Sequence, residues 1–64
     1  MEVQRYLVRF QREGRVHYLY TDNYETAMLA ACSIYEDVIH LQSCEIWTGN
    51  DLLWKDGHPE RVSS

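Results

Sequence analysis

Apolar positions along this chain recur with a period of two before residue 21, with a helical period from about 23 to 38, and with a period of two again up to residue 55. Side chains alternate across a strand and repeat every 3.6 residues around a helix, so this order predicts a ββαββ domain of the α+β class. In the first segment Tyr6, Val8 and Phe10 form one face, and Arg5, Leu7 and Arg9 form the other. Gly14, within Gln11–Arg15, supplies the positive φ of a short hairpin loop, and β-branched and aromatic residues resume over Val16–Tyr20. The spacing predicts a hairpin of two strands.

The segment Thr21-Asp22-Asn23-Tyr24-Glu25 then carries a helix start, with Asp22 as the cap and Glu25, three residues on, closing a capping box. Tyr24, Ala27, Met28, Ala31, Ile34, Tyr35 and Val38 follow at i, i+3, i+4 and i+7 spacing, a stripe that faces a core. Val38-Ile39-His40-Leu41 is read as the helix end and a buried connection. After it, Cys44, Ile46 and Thr48 alternate with Glu45 and Trp47, and Gly49-Asn50 or Asn50-Asp51 offers a tight turn before Leu52-Leu53-Trp54-Lys55. Residues 1–57 form the predicted domain and residues 58–64 a flexible C-terminal tail.

A helix crossing from strand 2 to strand 3 brings strand 3 beside strand 1. The expected sheet is mostly antiparallel, in the order 2-1-3-4, with the helix on one face only. Val8, Phe10, Ile46 and the helix stripe are the predicted core. The other face is more apolar and aromatic than solvation requires, and an exposed apolar patch of that kind marks an interaction surface. Leu7, Leu19, Trp47 and Trp54 are the candidate partner-binding residues, and a symmetric homodimer through the open sheet face is the expected assembly.

Composition narrows the field. A chain of 64 residues buries only about 60% of its unfolded surface, so one small domain is the limit and help from a partner is in character. With 45% hydrophobic residues and eight aromatics the chain is too apolar for a solvated disordered segment. Cys32 and Cys44 have neither CxxC spacing nor the density of a disulfide scaffold, and read as reduced core thiols of a cytoplasmic protein. The first residues show no cationic lead into an apolar run, and no stretch approaches the roughly 20 apolar residues of a membrane helix. Neither secretion nor membrane insertion is expected.

The net charge of -4 is unevenly spread, +2 over residues 1–20 and -6 over residues 21–64. Such a bipolar surface steers a charged partner or favours head-to-tail self-association. Arg5, Arg9, Arg12 and Arg15 interleave with aromatics in the first hairpin, a basic patch that offers a nucleic-acid reading. Against it stand the acidic second half and a strand order that differs from the βαββαβ of aromatic RNA-binding sheets. Glu25, Glu36, Asp37, Glu45, Asp51 and Asp56 form a candidate acidic patch, and small acidic proteins of phages and mobile elements inhibit nucleic-acid machines as decoys. His17, His40 and His58 fall in three different elements, so no metal site or other cofactor is expected. Cys44 with His40 is the one nucleophile and base close in sequence. No catalytic residue is assigned, and the expectation is a non-enzymatic, protein-binding or regulatory module.

Overall fold

The structure is a computed structural model and describes residues 5–59. The strands β1 (Tyr6–Arg12) and β2 (Arg15–Thr21) form the first hairpin. Its two-residue turn has positive φ at both Glu13 (51°) and Gly14 (78°), the primed geometry whose twist matches that of the strands it joins. Gln42 steadies the turn from the neighbouring strand, its Oε1 accepting from the Gly14 N–H at 2.8 Å.

The helix α1 runs Tyr24–Asp37. Its cap is Asn23, not the expected Asp22. Asn23 Oδ1 accepts from the Thr26 N–H at 3.1 Å, while Thr21 Oγ1 accepts from the Asn23 N–H at 3.2 Å. The shift by one residue places Thr26, not Glu25, third in the helix, so the predicted capping box does not close. At the other end the Val38 N–H returns to the Ile34 carbonyl at 3.0 Å, and the chain leaves in extended geometry. The predicted buried connection is instead exposed: Ile39 keeps 67% of its surface, and His40 turns the chain with φ 62°.

Leu41–Thr48 forms β3, and Asp51–Lys55 forms β4 after a Gly49-Asn50 turn in which only Gly49 has positive φ. A further two-residue turn follows. Asp56 (φ 48°) and Gly57 (φ 91°) lead into β5 (His58–Pro59), which pairs with β4. The start of the expected tail is thus a fifth strand, and residues 60–64 lie outside the described residues. The result is one α+β domain, a single helix on an antiparallel sheet of order β2-β1-β3-β4-β5.

Core and open face follow from register, because residues directly opposite in an antiparallel pair share a face. Val8 faces Ile46, and Ile46 faces Trp54; these three join Ala27, Ala31 and Cys44 as the buried core beneath the helix. Two alanines on the helix stripe allow the close approach. Phe10, Met28, Ile34 and Leu53 pack around this centre half-buried, and Tyr35 meets Trp54 edge-on with ring centroids 6.0 Å apart. Cys32, read as a core thiol, is exposed; Cys44 alone is buried.

Candidate open-face interface

On the face away from the helix, register lines up Tyr20, Leu7, Trp47 and Leu52 in one row across four strands. A second row beside it holds Tyr18, Arg9, Glu45 and Lys55. Among the described residues no element covers either row. Tyr20 keeps 67% and Tyr18 58% of its surface, high values for aromatic side chains on a sheet.

Polar contacts hold the centre of this face in a fixed arrangement. Glu45 Oε1 accepts from Trp47 Nε1 at 3.3 Å and from Arg9 Nη1 at 3.4 Å. Both donors stand on the same face as Glu45, Trp47 two residues along its strand and Arg9 directly across from it. The indole N–H is therefore satisfied without a partner, and the ring presents its apolar surface beside Leu7. With the Arg9 side chain 43% exposed and the pair 3.4 Å apart, this ion pair adds little stability; its effect is on geometry. Leu7, Arg9, Tyr18, Trp47, Gly49 and Asn50 line a shallow hollow of about 310 Å³. At the rim, Thr48 Oγ1 donates to the Arg5 carbonyl at 3.1 Å and ties the start of β1 to β3.

Two of the four expected partner-binding residues, Leu7 and Trp47, stand directly opposite one another on this face. The other two do not. Leu19 lies opposite Val8, on the helix side of the sheet, and Trp54 is 4% exposed inside the core. The reason for Trp54 is a register shift between Ile46 and Trp47, which leaves Leu53 as an extra residue in β4 and puts Leu52 and Trp54 on opposite faces. Tyr18, Tyr20 and Leu52 take their place, residues the sequence reading covered only as alternate positions of its strands.

The charged sets are dispersed. Arg9 belongs to the open face, and Arg5 adjoins a hollow with Tyr20, Thr21 and Asp22 at one end of the sheet. Arg12 and Arg15 close the hairpin at the other end, on the helix side. The four arginines form no continuous track. Of the acidic residues, Glu25 stands in the first turn of the helix, Glu36 and Asp37 in its last, Glu45 on the open face, and Asp51 beside the second hairpin turn. Ser33 Oγ lies 3.3 Å from Asp37 Oδ2. Asp56 has a structural task, its Oδ1 accepting from the Cys44 N–H at 2.9 Å while its own N–H donates to the Cys44 carbonyl at 2.8 Å.

Cys44 does not pair with His40 as nucleophile and base in this fold. Its Sγ faces the Ala31 carbonyl at 3.8 Å within the core, and burial, followed by the neighbouring Asp56, Cys32 and Glu45, pushes its pKa up to about 11. A thiol so placed is protonated at neutral pH and shielded from substrates. Among the described residues no group of three or more His, Cys, Asp or Glu side chains is placed to hold a metal ion, and no helix is long and apolar enough to cross a membrane. Comparison with protein-family models, with curated proteins and with solved structures finds no match for this chain.

Proposed function

We propose that this chain is a small, non-enzymatic protein-binding module whose contact surface is the open face of its sheet, and that it works as a symmetric homodimer. The observation that carries the reading is the uncovered row of Tyr20, Leu7, Trp47 and Leu52, with the Trp47 N–H already satisfied by Glu45. Hot spots of protein interfaces are enriched in aromatic anchors held rigid and ringed by polar groups. Here Trp47 is the anchor, and Arg9, Glu45 and Lys55 are the polar margin that sets orientation.

The dispersion of Arg5, Arg9, Arg12 and Arg15 over two faces and both ends of the sheet weighs against nucleic acid as the partner. The acidic residues are scattered as well, over the helix, the open face and the second hairpin, with Glu45 and Asp56 engaged within the fold, which weighs against a single acidic decoy surface.

The test compares proteins retained from a lysate of the source cells by wild type, by Leu7→Ser/Trp47→Ser and by the helix variant Leu29→Ser. A protein retained by wild type and Leu29→Ser and lost with the double variant supports the reading. Equal recovery on all three contradicts it. Retention that disappears on nuclease treatment would transfer the role to nucleic acid.

A further inference from the structure

The two edges of the sheet are unlike. One ends in β5, which within the described residues carries Pro59, a residue with no N–H to offer. Proline on an edge strand is one way sheets prevent pairing with further strands. The other edge is β2, seven residues long, with no proline, no register shift against β1, and a single charge, Arg15, at its end. Every residue of β2 except Thr21 is exposed, and the run Val16-His17-Tyr18-Leu19-Tyr20 is rich in residues that favour strands.

Hairpin geometry states which backbone groups this edge offers. Arg12 and Arg15 flank a two-residue turn and so form a hydrogen-bonded pair. Alternation then turns the N–H and C=O groups of residues 15, 17, 19 and 21 towards β1, and those of Val16, Tyr18 and Tyr20 outward. The same alternation, carried across β1 and β3, directs Cys44 towards β4, where its carbonyl accepts from Asp56. The outward groups are three donors and three acceptors in a row, unprotected by any described element.

We infer that β2 is the homodimer contact, pairing antiparallel with β2 of a second copy about a two-fold axis at Tyr18, so that two five-stranded sheets join into one of ten strands. This deepens the homodimer reading and rests on it, while assigning the contact to the sheet edge and leaving the open face to another protein. The register is dictated by the strand itself. Centring on Tyr18 brings Tyr18 opposite Tyr18 and Val16 opposite Tyr20 of the second copy, and all three outward residues of each strand are then paired. These are aromatic–aromatic and aromatic–β-branched neighbours, the combinations that stabilise cross-strand contacts.

Charge agrees with this direction. Antiparallel pairing sets Arg15 of one copy opposite Thr21 of the other, next to its Asp22, and symmetry repeats the attraction. Alternation from the Lys55–His58 pair turns the Pro59 nitrogen outward, where it offers no N–H, so this edge is a poor partner for β2 of another copy and the assembly closes at two chains. The two open faces lie on the same side and merge into one surface.

The test is solution mass by light scattering across a concentration series for wild type, Tyr18→Pro, Tyr18→Lys and Trp47→Ser, with circular dichroism to check folding. Proline at 18 removes an outward N–H and leaves the ladder to β1 intact, and lysine sets two ammonium groups facing each other at the two-fold axis. Wild type and Trp47→Ser should have twice the chain mass. Both Tyr18 variants should be folded; proline should raise the dissociation constant roughly 30-fold or more, the effect of two lost backbone hydrogen bonds, and lysine should raise it through like-charge repulsion at the axis. A dimer that both Tyr18 variants preserve, or that Trp47→Ser dissociates, overturns the edge contact while keeping the homodimer. A monomeric wild type at every concentration overturns both, and mass growing without limit overturns closure at two chains.

Discussion

Replacing Trp54 by alanine tests the core more severely than any other single change. Trp54 is 4% exposed, opposite Ile46 across the strand pair and edge-on to Tyr35 at 6.0 Å. Truncating a buried tryptophan costs about 3–5 kcal/mol, through lost transfer energy and the cavity left behind. The ring contact with Tyr35 contributes about 0.5–1.5 kcal/mol of interaction that alanine cannot make. Domains of this size carry only about 3–10 kcal/mol of stability, at about 0.05–0.15 kcal/mol per residue. Trp54→Ala should therefore be largely unfolded in water, or should unfold at a small fraction of the wild-type urea midpoint.

The matching change on the open face, Trp47→Ala, should cost clearly less, about 1–2 kcal/mol, since the ring is only partly buried on a face that no described element covers. The assay is urea titration followed by far-ultraviolet circular dichroism, at one protein concentration because association shifts apparent stability. Equal midpoints for the two variants would refute the placement of the tryptophans on opposite faces. So would a greater loss for Trp47→Ala.

Other expectations follow from the same packing. Ala31→Glu forces a carboxylate between helix and sheet with no partner and should abolish the cooperative thermal transition; Leu29→Glu, two residues away on a face 72% exposed, should melt within a few degrees of wild type. Cys44 has its pKa raised from 9.0 to about 11 in the folded chain, so above pH 9 the unfolded chain releases the proton first. Stability should then fall between pH 9 and 11 by about 3 kcal/mol, and Cys44→Ala should flatten that limb of the pH profile. Gly57→Ala should also destabilise the last hairpin, because φ is 91° and an added Cβ would lie 3.2 Å from Tyr35 Cε2; hydrogen exchange at His58 is the direct readout.

The hydrophobic period made the helix and the first hairpin legible within a residue or two, because both rest on local rules. Gly14 marks the turn, and Ala27 and Ala31 on the stripe mark the buried side of the helix. The choice between Asp22 and Asn23 as cap was not legible, since both side chains can accept from the first turn and the Thr21 hydroxyl decides between them. β3 begins at Leu41, three residues before the readable alternation at Cys44, because pairing with β1 extends it through polar Gln42 and Ser43. β5 had a signal in Asp56-Gly57, a dipeptide that favours a two-residue hairpin turn, but the stretch that follows has no periodicity and holds Pro59, and so read as a tail.

The open-face placement was legible for two of the four candidate residues, and the irregular register of β4 accounts for one of the two misplaced, Trp54. Leu7 and Trp47 sit on regularly alternating strands, and their shared face follows from counting. Trp54 lies beyond an extra residue at Leu53, so the count changes sign, and nothing local in Leu52-Leu53-Trp54 reveals it. Leu19 lies one position off the open-face set, which in β2 is Val16, Tyr18 and Tyr20. The exposure of that strand is also a tertiary fact, set by a helix that covers β1 and β3 and leaves β2 at the edge.

Amide hydrogen exchange of β2, followed residue by residue by NMR at high and low protein concentration, distinguishes an edge-paired homodimer from a free edge. The edge-paired homodimer predicts slow exchange at His17, Leu19 and Thr21 under both conditions, where the N–H groups bond to β1. It predicts slow exchange at Val16, Tyr18 and Tyr20 only at high concentration. Fast exchange at those three amides whatever the concentration would contradict it, and would leave β2 as a free edge on a domain that acts through its open face alone.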